Sequence, residues 1–201
     1  MIDLILGLIE PTSGSIAVDA ISLTELTDAW RARVGYVPQD VALFDASIAE
    51  NVALSWTGEI DRDRVRDCLA KAQLLEFIEA RDGGIDGKVG ERGMALSGGQ
   101  RQRLGIARAL YSQPLVLVMD EATSALDTTT EAAVTEAIRG LHGEITVVTV
   151  AHRLSTVKHV DQLFFMSGGR VVDSGTFDEL VERVPEFAAQ ARLAGLTDSA
   201  L

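Results

Sequence analysis

The chain has 201 residues, of which 47% are hydrophobic, and it carries a formal net charge of −12 with a pI of about 4.6. This length and composition suit one globular domain with a sizeable core, which excludes a largely disordered chain. The acidic balance repels nucleic-acid phosphates and argues against a DNA- or RNA-binding protein.

Targeting and membrane signals are missing from these residues. No apolar run is long enough to cross a bilayer, and the first residues lack the basic region of a signal peptide. The one cysteine, Cys68, has no intrachain disulfide partner and is predicted to be a small core residue on a helix. We expect a soluble chain that reaches a membrane only through a partner.

The first elements follow from apolar spacing and turn-forming residues. Met1–Ile9 has the spacing of a helix that ends at the breaker cluster of residues 10–14, and it opens without a cap, as if cut. Strands are expected at Ser15–Val18 and Val34–Val37, the second stopping at Pro38.

Helical patterns dominate the next stretch of the chain. Ser47 and Glu50 form a capping-box pattern for a short helix. Residues 61–80 place apolar side chains on one stripe and charges opposite, which predicts an amphipathic helix. A loop reaching residue 93 then precedes a predicted helix at Gly98–Tyr111.

Two continuous apolar runs predict buried strands at Leu115–Met119 and Thr146–Val150. Thr128 and Glu131 are expected to cap the helix between them. Strands that alternate with helices predict an α/β fold with a mainly parallel sheet and helices on both of its faces.

The C-terminal part ends in a hairpin and helices. Residues 163–166 and 170–172 flank a Ser-Gly-Gly turn and predict two antiparallel strands. Thr176 and Glu179 are expected to cap a helix that restarts at Pro185.

The strongest chemical signal is the string Leu-Ser-Gly-Gly-Gln at residues 96–100, followed by a helix. Ser97 and Gln100 form a capping box, while Gly98 and Gly99 remove side chains from a positive helix end. Backbone N–H groups there can meet an anion. The spacing alone justifies only a glycine-softened helix cap.

A second signal is the pair of carboxylates Asp120 and Glu121, directly after the apolar run at residues 115–119. The carboxyl end of a buried parallel strand is where open α/β sheets place their ligands. Standing alone, such a pair is more often a solvated strand end.

Taken together, these strings resemble the signature and Walker B motifs of ABC transporter nucleotide-binding domains. The match to the signature runs on through Ile106–Leu110. The resemblance implies a P-loop NTPase-like fold in which Ser97, Gly98, Gly99 and Gln100 bind ATP held by a partner domain. It also implies that Asp120 organises Mg²⁺ and that Glu121 is the general base of ATP hydrolysis.

Three shorter matches follow in the family's order. The string around Gln39 resembles the Q-loop, whose glutamine reaches Mg²⁺ and the attacking water. The residues ending at Asp127 resemble the D-loop, which crosses the dimer interface, and His152 resembles the switch histidine that contacts the γ-phosphate. Each is weak alone, and together they support one another.

Residues 89–93, including Glu91, and residues 43–48 resemble segments typical of ABC exporters. The resemblance implies two partners, a second nucleotide-binding domain and a transmembrane domain, and a place at the cytoplasmic face of the membrane. It covers 1–201 as a single nucleotide-binding domain, with a helical subdomain at about 48–113 that ends in the signature helix.

The phosphate-binding sequence Gly-x-x-x-x-Gly-Lys-Ser/Thr does not occur in the 201 residues. In the family, a segment like Ile2–Leu8 directly follows that loop. The resemblance therefore implies an N-terminally truncated domain, without the amide cradle and lysine that hold ATP in its own site. The strand before that loop lies inside the family's sheet, so we also expect unpaired apolar edges and marginal stability, which a cooperative thermal melt would contradict.

Two other functions stay open at this point. A non-hydrolysing partner subunit would donate its signature to another domain's ATP site, although such a subunit has no chemical need for Glu121. A chromosome-maintenance or DNA-repair ATPase carries a very long coiled coil between the positions of Gln39 and Ser97, where this chain has only a compact helical region.

Overall fold

A computed structural model describes residues 1–90, 96–120, 128–151 and 153–197, without the side chains of residues 128–131. The chain divides into two units, Met1–Val150 and Ala151–Leu201.

The first unit contains helices, a small hairpin and a parallel sheet. In chain order the elements are α1 (Ile2–Ile5), β1 (Ala17–Val18), β2 (Ile21–Ser22), α2 (Leu23–Arg31), β3 (Val34–Val37), α3 (Ile48–Ala53), α4 (Arg62–Lys71), α5 (Leu75–Glu79), a 3-10 turn (Gly84–Asp86), α6 (Gly98–Tyr111), β4 (Val116–Asp120), α7 (Thr128–Arg139) and β5 (Thr146–Val150).

The sheet is parallel, with β4 between β3 and β5. Val37 lies opposite Met119, and the last residue of β4 lies opposite the last residue of β5. All three strands therefore end at one edge of the sheet. The predicted α/β class with a parallel sheet is confirmed.

β4 is paired on both sides, by β3 and β5, and its residues Leu117, Val118 and Met119 are fully buried. The prediction that β5 is buried is wrong. Thr146 is exposed and the rest of β5 only half buried, since β5 is an outer strand of the described sheet.

Two predicted helices differ in length from those observed. The first spans only four residues, Ile2–Ile5, and the chain turns at Gly7, where φ is +67°. The helix predicted over residues 61–80 is divided into α4 and α5 because Gln73 adopts a left-handed φ of +55°.

The core of this unit forms around α6, which packs against α3, α4, α7 and β3. Leu104 and Ile106 of α6 are fully buried. At its C-terminal end, the guanidinium of Arg64 from α4 lies 4.7 Å from the centre of the Tyr111 ring. Cys68 is buried on α4, as predicted, and burial raises the pKa of its thiol. The helix that begins at Ser97 is thus fixed on several sides.

The second unit, taken by itself, contains α8 (Leu154–Val157), the antiparallel strands β6 (Leu163–Ser167) and β7 (Arg170–Gly175), α9 (Phe177–Arg183) and α10 (Pro185–Leu193). The predicted hairpin, the Thr176 cap and the restart at Pro185 are confirmed. Its small core is aromatic, with the Phe177 and Phe187 rings 5.3 Å apart.

Within the described ranges, none of the helices combines the length and the apolar character needed to cross a bilayer.

Candidate functional site

The N-terminal end of α6, which we call the signature tip (Ser97 and the first turn of the helix), presents polar backbone to the surface. The Gln100 N–H donates to the Ser97 hydroxyl at 3.3 Å, and the Ser97 N–H donates to the Gln100 side-chain oxygen at 2.8 Å. The predicted capping box is therefore confirmed. Ser97 and Gly98 are exposed, and the first turn carries no acidic residue. A positive helix end without a local carboxylate favours an anionic ligand.

Two arginines hold the signature tip in place through backbone carbonyl groups. Arg101 donates to the Leu96 carbonyl at 3.0 Å, and Arg103 donates to the Gly99 carbonyl at 3.4 Å. Arg103 also donates to the Gln73 carbonyl at 2.5 Å, which joins α6 to the turn between α4 and α5. Burial lowers the pKa of Arg103. These contacts add positive charge behind the tip and fix its direction.

The second part of the candidate site is the common edge of the parallel sheet. Asp120 is the last residue of β4 and is half buried, and Gln39 is exposed two residues beyond β3. Burial raises the pKa of the Tyr36 hydroxyl on β3, and the negative charges of Asp120 and Asp3 raise it further. Tyr36 therefore interacts with the charge of Asp120. The structure thus places Asp120 and the strand leading to Gln39 at one edge.

Four residues predicted for the site, Glu91, Glu121, Asp127 and His152, lie outside the described residues. Glu121 directly follows β4, so its strand ends at the edge that carries Asp120. The roles of all four residues remain predictions.

The oxygen donors at this edge fit a hydrated Mg²⁺. Mg²⁺ keeps several waters and takes one or two carboxylates together with phosphate oxygens, so one half-exposed carboxylate such as Asp120 is a suitable protein ligand. A site made only of protein ligands is not expected, and no group of three or more His, Cys, Asp or Glu suited to a metal occurs in the described part of the chain.

An exposed aromatic pair was not singled out from the sequence. The rings of Phe44 and Trp56 meet edge to face, 4.9 Å apart, and the two side chains are 47% and 51% exposed. Leu54, which ends α3 with a φ of +50°, is also exposed. The available signal was two aromatic residues flanking the short helix that Ser47 caps.

Comparison with known proteins places these features in a family. The family model described as "ABC transporter" matches residues 1–124. The chain is 46% identical over 198 residues to the ATP-dependent lipid A-core flippase of Polaromonas sp. (strain JS666 / ATCC BAA-500), covering 96% of the chain and 33% of the relative. It is 45% identical over 184 residues to the beta-(1-->2)glucan export ATP-binding/permease protein NdvA of Rhodopseudomonas palustris (strain BisB18), covering 91% and 30%.

Among solved structures, a bacterial Atm1-family ABC exporter with ATP bound is similar, with a TM-score of 0.85 and 36% sequence identity. The match covers 96% of this chain and 34% of that one. The chain therefore spans about a third of the length of the proteins that it matches.

Proposed function

Because the chain belongs to the ABC transporter family, we propose that it forms ATP-binding and ATP-hydrolysing parts of an exporter and that ATP turnover drives transport. The observation that carries this proposal is the exposed signature tip, where Ser97 caps α6 and the first turn of the helix has no acidic residue. The lipid A-core flippase and the glucan export protein support the exporter class.

The signature tip binds ATP held by a second nucleotide-binding domain. The 201 residues contain no Gly-x-x-x-x-Gly-Lys-Ser/Thr sequence, so the lysine and amide cradle for the phosphates come from elsewhere. Ser97, Gly98, Gly99 and Gln100 then supply donors to the far side of the γ-phosphate. Developing charge on that group is stabilised by such fixed donors.

The sheet edge supplies the hydrolytic chemistry when ATP is held beside it. Asp120 and Gln39 would hold Mg²⁺, whose charge would stabilise the phosphate oxygens. Glu121 accepts a proton from the attacking water, and His152 donates to the γ-phosphate. Support comes from the end of β4, which brings Asp120 to this edge in half-buried form.

A complementation assay tests the proposed function. The partner is an intact ABC nucleotide-binding domain that has its own phosphate loop but whose signature serine is replaced by arginine, so that it is inactive alone. We expect the 201-residue chain to restore turnover of Mg²⁺-ATP by this partner and to show none by itself. A well-folded chain that restores nothing at any ratio would contradict the proposal.

The transmembrane partner docks on the face formed by Phe44, Leu54 and Trp56, which holds the domain at the cytoplasmic side of the membrane. Their exposure and the edge-to-face ring contact support this assignment, because apolar surface of this kind marks interaction sites. Glu91 and Asp127 are assigned to coupling and to the dimer interface.

Cross-linking in a chimera tests the docking face. The chain replaces the corresponding segment of a full-length exporter relative, with Cys68 changed to alanine. We expect Trp56→Cys to cross-link to the transmembrane part, whereas Leu115→Cys, at a position of the same unit that is 61% exposed just before β4, serves as the control and does not. Equal cross-linking yields at the two positions would contradict the assignment of Trp56 to this interface.

A further inference from the structure

Two polar side chains are buried among the described residues, Asn51 on α3 and Gln102 on α6. Both bind the backbone of the segment that follows β3. Gln102 is 4% exposed and donates from its amide nitrogen to the Pro38 carbonyl at 3.3 Å. Asn51 is fully buried, accepts from the Phe44 N–H at 2.9 Å and donates to the Phe44 carbonyl at 3.0 Å. The two amides therefore hold the two ends of a segment at residues 38–44.

The middle of this segment also contacts α6. Arg108 donates to the Ala42 carbonyl at 2.9 Å and to the Asn51 carbonyl at 2.8 Å. Gly105 leaves room for Val41, because a Cβ at this glycine would lie only 2.6 Å from the nearer Val41 methyl. The segment has no helix or strand of its own, so side chains of α6 and α3 set its position.

The same helix carries the signature tip. Gln102 lies five residues after Ser97, a distance of about 7.5 Å along a helix axis. A buried, hydrogen-bonded helix moves as a rigid element, and α6 is buried along most of its length. The buried helix thus links Ser97 to the Pro38 carbonyl, which directly precedes Gln39.

We propose that Gln102 is a positioning residue that makes the Pro38–Phe44 segment move as one body with α6. We call the contacts of Gln102, Asn51 and Arg108 with this segment the clamp, and they lie within this chain. A second step, which we call the relay, rests on the proposed function. In the relay, ATP binding at Ser97 shifts the face formed by Phe44, Leu54 and Trp56 through Gln102. Gln102 touches no nucleotide in this scheme. Loss of the Gln102 side chain uncouples Ser97 from this face and leaves both in place.

Pulsed electron spin resonance on the full 201-residue chain tests the clamp without nucleotide. Asp40 and Ser112, both exposed, are changed to cysteine in a Cys68→Ala background and carry nitroxide labels. The distance between the labels joins the segment to the C-terminal end of α6. We expect a single narrow distance distribution, and Gln102→Met, which keeps the side-chain length but removes the donor, to widen it at least twofold. The matched control is Gln162→Met, the same change at an exposed position, which leaves the width unchanged. An unchanged width in Gln102→Met overturns the proposal.

A second variant keeps the test decisive if Gln102→Met does not fold, as judged by circular dichroism. Gly105→Ala leaves the Gln102 donor in place but forces a methyl group against Val41. We expect a longer label distance, restored when Val41→Ala is added to remove the clashing methyls. No change in Gly105→Ala would show that α6 does not set the position of the segment, and would contradict the clamp.

The relay is tested in the complementation assay with a tryptophan-free partner. Trp30→Phe leaves Trp56 as the one tryptophan of the chain. We expect ATP to shift Trp56 emission, and Gln102→Met to abolish this shift while ATP turnover stays within twofold. A shift that persists in Gln102→Met overturns the relay. Absent turnover with the parent chain contradicts the proposed function instead, and the label distances still decide the clamp.

Discussion

Replacing Ser97 with alanine is expected to lower complemented ATP turnover about 10- to 100-fold. The hydroxyl is exposed at the positive end of α6 and is proposed to donate to the partner-held γ-phosphate. A hydrogen bond to a charged group contributes about 1.5–3 kcal/mol, and each 1.4 kcal/mol is about a tenfold change in rate. Steady-state turnover of the complemented pair, at saturating partner, measures the effect.

The change also removes a helix cap, and a matched variant separates the two losses. Thr176 caps α9 with the same geometry, accepting from the Glu179 N–H at 3.4 Å. Loss of either cap costs about 1 kcal/mol of stability. We therefore expect Thr176→Ala to lower stability as Ser97→Ala does, without changing turnover. Equal activities in the two variants would leave Ser97 with a capping role only.

Local signals in the sequence predicted local structure well. The capping boxes at Ser47, Ser97 and Thr176 are all present, because each depends on residues three positions apart. The bounds of β3 and α6 also agree with their predictions, since Pro38 stops the strand and Ser97 begins the helix.

Features that depend on distant contacts were not predictable in this way. A left-handed φ at a non-glycine residue such as Gln73 is costly in isolation, and here Arg103, 30 residues away, binds its carbonyl. β5 is only half buried because it is an outer strand of the described sheet, and strand order does not follow from local sequence. Gln102 has its partner, the Pro38 carbonyl, 64 residues away, so this contact is visible only in the folded chain.

The capping boxes at Ser47 and Ser97 differ in whether their third residue, Glu50 or Gln100, can titrate. Hydrogen bonds from the Ser47 hydroxyl and the Ser47 N–H lower the pKa of the Glu50 carboxyl. These bonds stabilise the folded chain above the pKa that Glu50 has in the unfolded chain. This stabilisation is lost as the pH falls through the lower pKa of Glu50 in the folded chain. The signature tip uses Gln100, which does not titrate, so its cap holds through the same acid range. Titration of the capping side chain therefore does not alter the donor geometry proposed for the γ-phosphate.

Leu104→Ala is expected to have the largest effect on stability. Leu104 is fully buried on α6, where that helix packs between α3, α4 and the sheet. Truncating a buried leucine costs about 2–5 kcal/mol, against a total domain stability of about 5–15 kcal/mol. Urea unfolding followed by tryptophan fluorescence reports on this unit, because Trp30 and Trp56 both belong to it.

The matched control is Leu115→Ala, which makes the same chemical change at a side chain that is 61% exposed just before β4. An exposed substitution of this kind changes stability by no more than about 0.5 kcal/mol. If both variants unfold at the same urea concentration, α6 is not packed as described, and the fixed direction of the signature tip is lost with it. If only Leu104→Ala is destabilised, the helix that presents Ser97 is part of the core of this unit, and a rigid core helix is what transmission from the tip to the segment at residues 38–44 requires.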